Sequence, residues 1–410
     1  MVLPSLFVAT IIGLSYHHTG VTEDDDPTFN TANRLYRALT NGSPLLPENP
    51  LYSPVLGAVS SNDLAGAARL ITDPRTGARE FYDVLVAGIP QHWGRDNSLV
   101  GDRHEINGMF VGYARDNIAF KDILTRDLVY YDRTLTGADA YIALPQVHFR
   151  EVFKRKSARD ALTADVRPGF GGVGIFTSYP WFKDYIDMGT NRRSVYGMLN
   201  HLYCTDIKHV QSFVIPDKFV KRDVPRTPAG NVNDYLTNCV GCHAWMDAFI
   251  PRAFARYDTN NNNNNPIPLY GVPADQINET NFDKEPITTD DWHLFLTAEQ
   301  NRIFRFNGLP GKPLQDYGST ELKYLKGQGL QMYGELIGNS DGFYNCIAKQ
   351  LVTRVYLKKQ FSLDSLSEED KLELATQEPI IESFGQMLKA NQNLRSVIEA
   401  IAVYFVGGGA

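Results

Sequence analysis

The stretch Asn238-Cys239-Val240-Gly241-Cys242-His243-Ala244-Trp245-Met246-Asp247 constrains this chain more than any other. It contains a C-x-x-C-H run, the attachment signature of a c-type haem. Two thiols three residues apart on one helical turn reach the two vinyl groups of a single porphyrin. The adjacent imidazole then meets the iron from the same side, as a proximal histidine does. Two other readings of a C-x-x-C pair fit less well. A structural zinc site wants two more sulfur or imidazole ligands at short spacing, and none follows. A redox dithiol wants a βαβ context, which the polar, proline-containing approach at 222–238 does not offer. The expectation is one covalent haem c. Cys239 and Cys242 form the thioethers, His243 is the proximal axial ligand, and Trp245 and Met246 lie beside the porphyrin.

A chain of 410 residues suffices for two or three domains with their own cores. Its 43% hydrophobic and 21% charged content is that of an ordinary globular protein. A net charge of −7 without a basic run argues against a nucleic-acid partner. The 33 Gly, 22 Pro, 21 Tyr and 22 Phe suggest aromatic-packed loops between helices. Haem of this type is attached outside the cytoplasm, where the remaining cysteines, Cys204 and Cys346, can persist as a disulfide. Two separate buried thiols are the alternative. A periplasmic or extracellular bacterial protein follows from the first reading. Residues 2–14 are apolar, about as long as a signal-peptide core and too short for a membrane span. They lack a basic n-region, so a docking tail is the other option. The acidic run at 23–26 reads as a solvated linker.

Helical periodicity is expected over 30–39, 64–71 (capped from Ser61-Asn62-Asp63), 78–86, 105–114 and 120–128. A proline-rich loop precedes Pro54, and residues 73–77 form a turn. Short strands fit 129–131 and 141–144. The glycine-rich stretch 167–174 lacks the spacing and the lysine of a phosphate cradle. Arg192-Arg193-Ser194 opens an amphipathic helix with Val195, Met198, Leu199 and Leu202 on one stripe. The asparagine run 260–265 reads as a solvent loop, and Asn278-Glu279-Thr280 is a formal sequon. The last ninety residues are the most helical, at 324–337, 343–356, 379–390 and 393–405, with a capping-box start at Ser365-Leu366-Ser367-Glu368-Glu369 before the helix between the second and third of these. The fold expected is mainly α: helical domains joined by long Pro/Gly/aromatic-rich loops, the haem in a loop–helix insertion, and a C-terminal helical bundle. The boundaries expected are 1–26 (apolar segment and linker), 27–190 (N-terminal helical domain), 191–320 (haem-binding region) and 321–410 (C-terminal helical domain).

Several stretches together resemble one family, the large cytochrome-like proteins of planctomycetes and myxobacteria built of consecutive domains of unknown function. Ala68-Arg69-Leu70-Ile71-Thr72-Asp73-Pro74-Arg75 is similar to that family's ARLLTDPR segment, and Ala119-Phe120-Lys121-Asp122-Ile123-Leu124-Thr125 to its PFRDLLT. Arg192-Arg193 before an apolar helix resembles its RRGxLT region. Cys239 to Asp247 and on to Tyr257-Asp258 resembles CxxCHxxMDPxGFxxExFD, with Ala248-Phe249-Ile250 in place of Pro-Leu-Gly. Tyr344-Asn345-Cys346-Ile347-Ala348-Lys349-Gln350-Leu351 resembles the C-terminal FxxCxxxQLxxYxLGR, without the final Leu-Gly-Arg. The resemblance implies an exported, mostly helical protein with one covalent haem, and no particular reaction.

The second axial ligand decides between functions, because a six-coordinate iron suits electron transfer and an open site permits chemistry on small ligands. Met246 is three residues past His243, on the same side of the ring, so it is expected to pack under the porphyrin. His201 and His209, on or just after the 192–202 helix, are the favoured distal candidates, with Met198, Met188, Met332 and His148 as further options. Tyr203, Trp245 and Phe249 are expected to wall the haem. The leading expectation is a monohaem electron-transfer protein with a redox partner protein and no transmembrane span. A peroxidase-like enzyme using Arg192 or Arg193 beside an open site is one alternative. A structural or assembly subunit with haem as folding cofactor, as a homo-oligomer or in a larger complex, is another.

Overall fold

Helix α1 (Pro27–Leu39) starts where amides of its first turn, which have no intrahelical acceptor, are given another partner or are absent. The Asp26 side chain accepts from the Thr28 N–H, and Pro27 fills a position whose missing N–H costs nothing. Ala32, Leu35, Tyr36 and Leu39 form its buried stripe. A computed structural model of the chain describes residues 26–91, 93, 105–132, 141–144, 173–178, 181, 185, 192–210, 215, 232–249, 256–258, 267–269, 291–318, 321–363 and 366–408. The apolar N-terminal stretch, most of the glycine-rich loop, the asparagine run, the sequon, Met188 and His148 lie outside them.

The described chain is mostly helical. Residues 52–60 form helix α2 (Tyr52–Ser60), where the proline-rich composition suggested that loop would continue to Pro54. Pro54 falls in the first turn, whose amides have no intrahelical acceptor, so it does not break the helix. Asp63 then caps α3 (Leu64–Thr72) by accepting from the Gly66 N–H. Asp73 closes the following turn on the amides of Arg75 and Thr76. A π-helical segment (Phe81–Val86) occupies part of the helix expected at 78–86. Helix α4 (Glu105–Asp116) ends at Asn117, whose φ is +55°. The helix expected at 120–128 is a five-residue 3-10 turn (Phe120–Leu124). It is held there by a hydrogen bond from the Phe120 N–H to the Gln392 carbonyl at 2.9 Å. Strands β1 (Val129–Asp132) and β2 (Tyr141–Leu144) pair antiparallel, Val129 opposite Leu144.

Helix α5 (Arg192–Leu202) buries Val195, Met198, Leu199 and Leu202, the stripe read from its sequence. A single turn (Val232–Asp234) and a π-helical segment (Tyr235–Cys239) run into α6 (Val240–Phe249). A short pair, β3 (Arg256–Asp258) and β4 (Ile267–Leu269), follows. A three-stranded antiparallel sheet comes next, with β5 (Asp291–Leu296), β6 (Gln315–Asp316) and β7 (Lys323–Gln328) in the order β5-β7-β6. Helix α7 (Ala298–Phe304) begins at a Thr297–Gln300 capping box. The helix expected over 324–337 is therefore corrected: its first five residues are strand, and only α8 (Gly329–Gly338) is helical. The break falls at Gly329, with φ +71°.

Four helices complete the chain: α9 (Asp341–Val355), α10 (Glu368–Thr376), α11 (Glu378–Asn391) and α12 (Leu394–Val406). Helix α9 packs along α11, and α12 turns back onto α1 and α3. Arg34 donates to the Val406 carbonyl at 2.5 Å, and the Thr72 hydroxyl meets the Glu399 carboxylate. Cys204, which follows α5 with φ +49°, is joined to Cys346 in α9 by a disulfide. Among the described residues no helix is long and apolar enough to cross a membrane.

Candidate cofactor-attachment site

The C-x-x-C-H run lies where the π-helical segment passes into α6. Cys239 is the last residue of the first, and Cys242 and His243 are in the first turn of the second. On a helix, positions three and four apart are neighbours. Cys239, Cys242, His243 and Met246 therefore share one stripe. Both cysteines and His243 are half-buried, and neither cysteine is in a disulfide. The core-facing residues of α6 are different ones: Gly241, Ala244, Trp245, Ala248 and Phe249 are buried. One turn upstream, Leu236 is 56% exposed, an apolar side chain left on the surface beside the thiols.

The His243 imidazole is pushed down to about 4, first by burial and then by the charge of Arg192. It is neutral at neutral pH and keeps a lone pair, the form in which an imidazole binds metal. Arg192, the first residue of α5, donates through Nε and Nη2 to Asp247 Oδ1 and Oδ2 at 2.6 and 2.7 Å. The pair is enclosed, with side chains 13% and 2% exposed. This two-pronged clamp joins the start of α5 to the last turn of α6. In the sequence, Arg192 stands at the start of the 192–202 helix and Asp247 at the end of the motif stretch, and nothing there pairs the two. The signal for Asp247 was a lone carboxylate four residues after His243, in a helix otherwise apolar on that side.

The aromatic residues expected around the haem are committed to the protein core. Trp245 is fully buried, donates from Nε1 to the Phe295 carbonyl at 2.9 Å and stacks on Phe304 with centroids 5.5 Å apart. Phe249 packs on Tyr333 at 4.9 Å, and Tyr203 packs edge-on to Phe304 and bonds the Ser340 hydroxyl. Trp245 thereby anchors α6 to β5. Met246 is buried in the last turns of α6.

Among the described residues, the distal candidates are placed as follows. His209 ends an exposed 3-10 turn (Ile207–His209). His201 stacks on Trp93 and its Nε2 is 2.5 Å from the Tyr185 hydroxyl. That hydroxyl also donates to the Trp93 carbonyl at 3.0 Å. A phenol has one proton, so both bonds are satisfied when His201 Nε2–H donates to it. In this arrangement His201 Nε2 is a donor and not a ligand. Met198 Sδ accepts from the Tyr333 hydroxyl at 3.0 Å.

Two thiols and one imidazole on one helical stripe are a donor set that a porphyrin joined through its vinyl carbons would fit. Among the described residues no three His, Cys, Asp or Glu side chains gather to hold a metal. Thioether attachment needs no such gathering, because the two sulfurs bond to vinyl carbons and one imidazole alone reaches the iron. No protein-family model, curated protein or solved structure matches this chain.

Proposed function

We propose that this chain is an extracytoplasmic monohaem c-type cytochrome that transfers electrons to or from a partner protein. This would make it a relative of the cytochrome-like proteins it resembles. Cys239 and Cys242 hold the haem and His243 supplies the proximal ligand. Bound there, the haem supplies a one-electron redox couple. The observation that carries the reading is the single half-buried stripe that presents both thiols and a neutral imidazole. The opposite side of α6 is fully used by the core.

The chain's own residues have three tasks. The helical turn fixes the thiol spacing, burial keeps the imidazole unprotonated, and the Arg192–Asp247 clamp holds α6 against α5. The Cys204–Cys346 disulfide supports export, since such bonds persist in oxidising compartments.

The test is the absorption spectrum of protein made with c-type maturation machinery. The reading expects a pyridine haemochrome that C239A/C242A abolishes, and a low-spin iron indifferent to cyanide and carbon monoxide. A spectrum that shifts with those ligands would move the function to haem chemistry. A colourless wild-type chain would overturn the reading.

A further inference from the structure

The Arg192–Asp247 pair is more than the fold of α6 requires. Helix α6 is already fixed by six buried apolar side chains and glycines, including Trp245 with its bond to β5. Removing two charges from water is costly, and an apolar pair of similar volume holds helices together as well or better. The pair is also placed specifically. Asp247 is four residues, one helical turn, beyond His243. Arg192 reaches that turn from another helix, and its charge acts on the His243 imidazole through space.

We propose that Arg192 and Asp247 are positioning residues of opposite sign that set the redox potential of the haem held by His243. The inference rests on the haem reading above. A fixed cation beside the proximal ligand disfavours the extra positive charge of ferric iron and raises the potential. A fixed anion does the reverse. Because the pair is enclosed, water and salt screen it little. The structure holds both charges one turn from the ligand, so the potential reflects their difference.

The sign of the response separates this role from a merely structural clamp. A clamp that opens admits water to the site, and then either substitution shifts the potential in the same direction. The electrostatic role predicts opposite shifts in the haem-loaded protein. D247N removes a fixed negative charge and raises the midpoint potential, whereas R192Q removes a fixed positive charge and lowers it. R192K keeps the charge and stays near wild type, and R192Q/D247N lies between the two single variants.

The experiment is a potentiometric titration of the full chain and these four variants, after a haemochrome assay and a circular dichroism check. Opposite shifts for D247N and R192Q support the proposal. Shifts of the same sign, or none, in folded haem-loaded variants overturn it and leave the haem reading intact. Should R192Q not fold, D247N and R192K carry the test, and a D247N potential equal to or below wild type overturns the proposal. A wild-type chain without a haemochrome overturns the proposal together with the reading beneath it, at the first step.

Discussion

His243 ties the chemistry of this site to its stability. Its ordinary value of 6.5 is lowered to about 4 in the fold, by burial first and Arg192 second. The unfolded chain therefore binds a proton that the folded chain refuses. Stability from this group is complete above about pH 6.5 and declines as pH falls toward 4. In protein prepared without haem, thermal melts across that interval should show a falling Tm, and H243Q should flatten this component. An unchanged slope in H243Q would place the titration elsewhere. The motif residues were legible because spacing alone defines them. Asp247 was not, since nothing local in the sequence says that Arg192, 55 residues earlier, is its partner.

At the scale of elements, capping chemistry makes α3 and α10 legible in the sequence, while the same signal before α7 and α9 goes unused there. Asp63, Thr297, Ser340 and Ser367 all accept from an amide of the first turn they precede. The strands were harder. Tyr324-Leu325-Lys326-Gly327-Gln328 became β7 because Asp291–Leu296 offers a paired edge some thirty residues away, with Asp291 opposite Gln328. Nothing in the sequence marks 291–296 as a strand, so the helical spacing of 324–328 has no visible competitor there. The Cys204–Cys346 bond links the end of α5 to α9 across 142 residues. Closing a loop of that length constrains the unfolded chain by up to about 5 kcal/mol. C204S/C346S should lower the unfolding free energy by an amount approaching that figure, read from denaturant melts. The C-x-x-C-H motif is on another helix, so on the haem reading the haemochrome should survive in the double variant. Loss of the haem with the disulfide would contradict this separation.

At the scale of the whole molecule, the last helix seals the first ones. Leu394, Val397, Ile398, Ile401 and Ala402 of α12 are buried in the same apolar cluster as Ala32, Leu35 and Ile71 of α1 and α3. No sequence pattern announces this return, because an amphipathic stripe states that a face is covered and not by what. Ile398→Ala should cost roughly 2–5 kcal/mol, as deletion of a fully buried branched side chain does. Hydrogen exchange should then speed up in both α1 and α12; protection lost from α12 alone would show the two ends to be independent.

The central claim is that a porphyrin is bonded to Cys239 and Cys242. Trypsin releases residues 227–252 as one peptide, since no lysine or arginine intervenes before Arg252. Mass spectrometry of that peptide, from protein matured for c-type haem, should find it heavier by one haem and refractory to thiol alkylation. A peptide of unmodified mass that takes up two alkyl groups would contradict the account.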